Sequence, residues 1–136
     1  MRIAVGTDTV NTVSEAILAE LRAAGHEVIG AGQGDPWPDV GRRVGELVAK
    51  GEADRGIACC WTGTGVSIAA NKVPGVRAAL CTDAETARGA RAWNDANVLA
   101  LGLRLTSEAL AREIIEAFLT AEPDGTETEN IAALPD

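Results

Sequence analysis

The sequence predicts a three-layer α/β/α sandwich around a five-stranded parallel sheet, a Rossmann-like fold, and two observations lead there. Short apolar runs alternate with amphipathic helical patterns along the first 120 residues, and 46% hydrophobic residues combine with only 3% aromatics and 15 glycines. Strands separated by helices need crossover connections, which are right-handed and build a parallel sheet covered on both faces. A surplus of small residues suits helices packed closely on such a sheet.

The five expected strands are RIAVG (2–6), EVIGAG (27–32), RGIACCW (55–61), GVRAALC (75–81) and NVLALG (97–102). After the first strand, TVSEAILAELRAAG sets Val13, Ile17, Leu21 and Ala24 on one helical face, and Gly25 falls where a helix C-terminal glycine belongs. Gly51 does the same ahead of the third strand, and the Thr/Gly run after that strand opens a further helix. After the fifth strand, TSEALAREIIEAFL gathers Leu110, Ile114, Ile115 and Phe118. Thr12 with Glu15 and Thr82 with Glu85 have capping-box spacing, which places helix starts at both threonines. Residues 1–120 are expected to form one domain, followed by an acidic, turn-rich tail, 121–136, whose apolar knot at 131–134 could dock on a partner subunit.

The formal net charge of −8, without a block of Lys and Arg or an aromatic stripe beside basic residues, argues against nucleic acid or an anionic membrane as partner. No apolar run approaches the ~18 residues of a membrane span, and the first residues form a strand pattern in place of a secretory leader. Three cysteines, Cys59, Cys60 and Cys81, without C-x-x-C spacing, fit reduced thiols in a cytosol; a cytoplasmic protein with no metal site is the expectation.

In open parallel sheets, ligands bind outside the carboxyl ends of the strands. Those ends carry Gly6-Thr7-Asp8, Cys60 to Gly65, Cys81 to Asp83 and Gly102 to Arg104. Strand alternation sends Cys59 to one face and Cys60 to the other, so Cys59 is read as core and Cys60 as the thiol at the mouth. Thr62-Gly63-Thr64-Gly65 then opens a helix. Amides at a helix start favour a thiolate nearby and can hold a developing oxyanion, an arrangement suited to proton removal beside a carbonyl. A cysteine ending a buried strand also serves as a small hydrophobe, and spacing alone leaves both readings open. The P-loop and G-x-G-x-x-G patterns are absent, which counts against nucleotide binding.

GHEV (25–28), GEADRGI (51–57), GTGVSIAANKVPGVRAALC (63–81), TARGAR (86–91) and NDANVLALGLR (94–104) together resemble the family of type B ribose-5-phosphate isomerases and galactose-6-phosphate isomerase subunits, of which this chain looks like a divergent member. The resemblance implies aldose–ketose isomerisation through a cis-enediolate, no metal or organic cofactor, and a homodimer or homotetramer whose active sites are shared between subunits. It implies Cys60 as the base, Thr62 as a proton shuttle, Gly63, Thr64 and Gly65 around the oxyanion, and Asp8 on substrate hydroxyls. Asn94 corresponds to a residue that contacts substrate from the neighbouring subunit, and Arg104 to a basic residue near the phosphate.

Four departures surround the same ligand. Thr9 and Trp93 stand where the family usually has histidines, Trp61 stands where it has glycine after the cysteine, and nothing after Arg112 is basic. The sole histidine, His26, is read as structural, which leaves either Asp8 to open a sugar ring or a substrate that is already open. Arg88 and Arg91 are candidate phosphate grips beside Arg104 or else a solvated helix face; Trp61 and Trp93 could stack on a sugar, narrow the pocket or pack a subunit interface, and Trp37 falls near the site. The default substrate pair is ribose 5-phosphate and ribulose 5-phosphate. The alternatives are an isomerase for a different or unphosphorylated aldose, and a non-catalytic sugar-phosphate binding or regulatory protein.

Overall fold

The computed structural model, residues 1–136, orders its elements as β1 (Arg2–Thr7), α1 (Thr12–Ala23), β2 (Glu27–Gln33), α2 (Trp37–Ala49), β3 (Arg55–Cys60), α3 (Thr64–Asn71), β4 (Ala78–Leu80), α4 (Ala84–Asn94), β5 (Val98–Gly102), α5 (Glu108–Thr120) and α6 (Thr128–Ala132). The strands form one parallel sheet in the order β2-β1-β3-β5-β4, as expected for the three-layer fold. Because β1 connects toward β2 and β3 connects toward β4, neighbouring strands β1 and β3 send their following helices to opposite faces. Their carboxyl ends therefore border a crevice.

Alternation along each strand splits the core in two. On one face, Ile3, Val5, Ile57, Cys59, Leu99 and Leu101 meet α1, α4 and α5. On the other, Ala4, Ala58, Cys60, Val98 and Ala100 meet Val40 and Val44 of α2 and Val66 and Ala70 of α3. The smaller side chains of the second face let α2 and α3 lie close to the sheet. Fully buried aliphatic and aromatic side chains such as Ile57, Leu99 and Phe118 each contribute about 1.5–3 kcal/mol.

Two helix starts differ from the capping boxes expected at Thr12 and Thr82. The α1 cap is Asn11, whose side chain accepts from the Ser14 amide at 2.9 Å while Ser14 Oγ accepts from the Asn11 amide at 2.8 Å. The α4 cap is Asp83, accepting from the Thr86 amide at 2.7 Å. In both places a residue with a short carbonyl side chain stands next to the threonine, and Asn and Asp are the stronger caps. β4 spans three residues where seven were expected. Arg77 leaves the strand pattern to bond Asp95, and the Asn71 side chain takes both backbone groups of Ala78, donating to its carbonyl and accepting from its amide.

Arg91 is neither a phosphate grip nor part of a solvated face. It is 1% exposed and donates to the Ala96 carbonyl (2.7 Å), the Asp95 carboxylate (2.8 Å), the Ala121 carbonyl (3.2 Å) and the Glu122 carboxylate (3.2 Å). These bonds satisfy a buried guanidinium and hold the start of the 121–136 stretch against α4, where the Asp124 amide also donates to the Ala92 carbonyl. No helix is long and apolar enough to cross a membrane.

Candidate active site

Three chain segments meet at the carboxyl edge because β3 is zipped between β1 and β5 to its last residue. Thr7 pairs with Cys59 and Cys60 with Gly102. Beyond the strands, the Asp8 amide donates to Cys59 O (3.1 Å), the Leu103 amide to Cys60 O (2.9 Å) and the Arg104 amide to Trp61 O (2.9 Å). Asp8, Thr9, Cys60, Trp61, Thr62 and Arg104 are thereby fixed on one edge. Thr9 Oγ1 donates to the Asp8 carboxylate at 3.0 Å, and the buried Thr7 hydroxyl braces this turn by donating to the Thr9 carbonyl at 2.6 Å.

Cys60 keeps 4% of its surface accessible and lies on the face shared with α3. The following turn enters α3 through Gly63, which adopts the left-handed φ of 78° and offers no side chain to cap the helix. The first amides of α3 thus lack both an intrahelical partner and a side-chain cap, and they carry the positive end of the helix dipole. The Thr62 and Thr64 hydroxyls are hydrogen-bonded to each other at 2.7 Å across Gly63. A base next to free amides and paired hydroxyls can remove a proton, hold the resulting oxyanion and pass a proton between neighbouring oxygens.

The site needs glycine at position 63. A Cβ there would stand 2.5 Å from Leu80 Cδ1 and 2.8 Å from the Gly102 amide nitrogen, besides straining the positive φ. Gly63→Ala is therefore expected to destabilise the fold by about 2 kcal/mol or more, read from denaturant midpoints, and to lower kcat as the turn shifts.

The other two thiols are disqualified as bases near neutral pH. Burial, reinforced by the nearby Cys60 and Asp8, pushes the Cys59 thiol from its ordinary 9.0 up to about 12. Burial, with Asp83 adding to it, pushes Cys81 up to about 11. Above pH 9 the unfolded chain releases these protons while the folded chain holds them, so stability is full below pH 9 and falls as pH rises toward 11 and 12. By pH 10.5 the loss from Cys59 is on the order of 2 kcal/mol. Melting temperatures at pH 8 and 10.5 should differ by several degrees, and Cys59→Ala should narrow the difference.

Asn94, Trp93 and Arg88 are not brought to this edge within one chain. The 11-residue α4 starts beyond the carboxyl end of β4 and runs back along the sheet by about 16 Å. Asn94 lines a hollow of about 410 Å³ with Asn71, Val76 and Ala78 near the amino end of β4, and shares with Trp93 a second hollow of about 600 Å³ that runs along the outer side of β4 and α4 past Leu80 and Asp83. Trp93 lies over Gly89 of its own helix, 53% exposed. Arg88 is exposed, 3.6 Å from Glu85, in a groove between α4 and α5.

The profile of the family described as Ribose/Galactose Isomerase matches residues 3–134. This chain belongs to that family. It is similar to galactose-6-phosphate isomerase subunit LacB of Clostridium acetobutylicum, with 43% identity over 127 residues covering 90% of this chain and 73% of the relative. Ribose-5-phosphate isomerase B of Escherichia coli is 41% identical over 129 residues, 91% of this chain and 87% of the relative. D-erythrulose-4-phosphate isomerase of Pectobacterium atrosepticum is 38% identical over 131 residues, 92% and 86% respectively. Among solved structures, Clostridium thermocellum ribose-5-phosphate isomerase B matches with a TM-score of 0.92 at 43% identity, covering 97% of this chain and 93% of that one. This family member is a sugar-phosphate isomerase of the aldose–ketose class.

Sequence reasoning missed Asp95. It ends α4 in the left-handed region at φ 46°, bonded by Arg91 at 2.8 Å and Arg77 at 3.2 Å, and so fixes the end of α4 that carries Asn94. The only signal available was the i,i+4 spacing of Arg91 and Asp95.

Proposed function

We propose that this isomerase interconverts ribose 5-phosphate and ribulose 5-phosphate through a cis-enediolate, with Cys60 as the base. The observation that carries the reading is the position of Cys60: it ends β3 directly before the uncapped start of α3, while burial keeps the other two thiols protonated. The Cys60 thiolate takes the C2 proton of the open-chain aldose as the C1–C2 double bond forms and the carbonyl electron pair moves onto O1. The α3 amides hold that oxygen. The Thr62–Thr64 hydroxyl pair moves the proton from O2 to O1, and the Cys60 thiol, whose proton exchanges with solvent while the enediolate is held, protonates C1 to give the ketose or C2 to return the aldose. Asp8, oriented by Thr9, receives a hydroxyl proton when a ring must open.

The site is completed by a neighbouring copy. Asn94 and the Cys60 loop lie toward opposite ends of the sheet in one chain, so a sugar at Cys60 meets Asn94 and Trp93 only from a second subunit, in a homodimer or a homotetramer built from it. The exposed Arg104 is the phosphate contact.

A second reading, a four-carbon substrate, is favoured by two indoles. Trp61 is 54% exposed beside Cys60, and Trp93 is offered beside Asn94. In a site shared between two copies, both indoles would stand beside the sugar and leave room for a shorter carbon chain. Incubating four-, five- and six-carbon aldoses, with and without a terminal phosphate, in D2O and following them by NMR tests the assignment. Ketose formation and C2 deuteration should be fastest for a phosphorylated aldose. Binding of ribose 5-phosphate with no exchange from any sugar would overturn it.

A further inference from the structure

α2 and α3 both start at the carboxyl edge and run side by side with a matched ladder of residues four apart. At the lower rungs glycines bring the segments together: a Cβ on Gly41 would lie 2.7 Å from Ala69 Cβ, and one on Gly45 would lie 3.1 Å from Cγ2 of Val73, just past the end of α3. At the top rung the sizes reverse. The three atoms nearest to a Cβ on Gly65, in the first turn of α3, would all belong to the indole of Trp37, at 2.8 Å (Cδ2), 2.9 Å (Cε3) and 3.3 Å (Cε2). The flat face of the Trp37 ring therefore covers Gly65, although Trp37 itself is 44% exposed and opens α2.

Besides Trp37, the start of α3 is held by Val66, fully buried on the sheet face. The helix has 8 residues, and Gly63 supplies no cap. On one side Gly63 abuts Leu80 and the backbone of Gly102; on the other, Gly65 abuts Trp37. The first amides of α3 are held between these two walls.

We infer that Trp37 is a positioning residue: its indole, wedged on Gly65, sets where the first α3 amides stand relative to Cys60, and so controls the rate of enolisation without itself binding the sugar. The inference rests on the proposed role of those amides. Oxyanion donors act only when held where charge develops; loss of one costs 10²–10³ in rate, and a displacement of about 1 Å costs about 10².

Kinetics of Trp37→Ala and Trp37→Phe test this, with the aldose shown to exchange by wild type. Trp37→Ala should lower kcat about 10–30-fold with KM within about twofold, intermediate between wild type and loss of a donor. Inhibition by a phosphorylated aldonohydroxamate, whose planar N–O group imitates the enediolate, should weaken by a similar factor. Trp37→Phe, which restores a flat ring, should recover kcat to within about threefold. A kcat unchanged in Trp37→Ala, or a rise in KM alone, would overturn the inference; the second result would make Trp37 a substrate contact. If Trp37→Ala does not fold, Trp37→Leu replaces it: kcat at least tenfold below that of Trp37→Phe supports the wedge, and equality overturns it. Failure of the underlying reading is separate, since Cys60→Ala would then retain exchange whatever residue stands at 37.

Discussion

Replacing Cys60 by alanine should lower kcat by about three orders of magnitude while the protein melts within a few degrees of wild type. General-base catalysis is worth about 10²–10⁴ in rate, and neither of the other thiols can take over. Cys59 points into the opposite core and Cys81 lies at the end of β4, both held protonated by burial. The stability cost is small because Cys60 sits at the end of its strand, paired with Gly102 and next to the Ala58–Ala100 pair on the small-residue face, and loses one sulfur atom. KM should change little, since a proton acceptor acts mainly in the transition state. Steady-state kinetics and thermal melts of the same preparation measure both effects.

The second large effect is a gain. Cys60→Ala and Asn94→Ala should each be nearly inactive alone, yet subunits of the two, unfolded and refolded together, should regain about a quarter of wild-type activity. Random pairing makes about half of the dimers mixed, and in each mixed dimer one of the two sites draws Cys60 from one chain and Asn94 from the other. The prediction follows from the run of α4. A helix that starts at the carboxyl edge and ends near the amino edge cannot deliver its last residue to the Cys60 loop of its own chain. Additive, near-zero activity in the mixture would mean that each chain builds its site alone.

Much of this arrangement was readable in the sequence because it depends on periodicity and punctuation. Period-two runs ended by Asp8, by the Thr/Gly turn and by Gly102 placed the strand ends, and alternation alone assigned Cys59 and Cys60 to opposite faces. What escaped depends on contacts between distant segments. Arg91 reads as one more charge on a polar helix face, and only the return of Ala121 and Glu122 makes it a buried anchor. The caps at Asn11 and Asp83 escaped because overlapping capping patterns one residue apart differ only in strength. Trp37 carries no local signal for Gly65, 28 positions later; their meeting is set by how closely Gly41 and Gly45 let α2 approach α3.

The most direct test of the Cys60 base is solvent exchange at carbon 2. Incubated in D2O with the aldose it converts, the wild-type protein, Cys59→Ala and Cys81→Ala should all place deuterium at C2, seen as loss of the C2 proton resonance, while Cys60→Ala should leave that proton in place. Undiminished C2 exchange by Cys60→Ala would contradict the assignment and move the base to another group at the carboxyl edge.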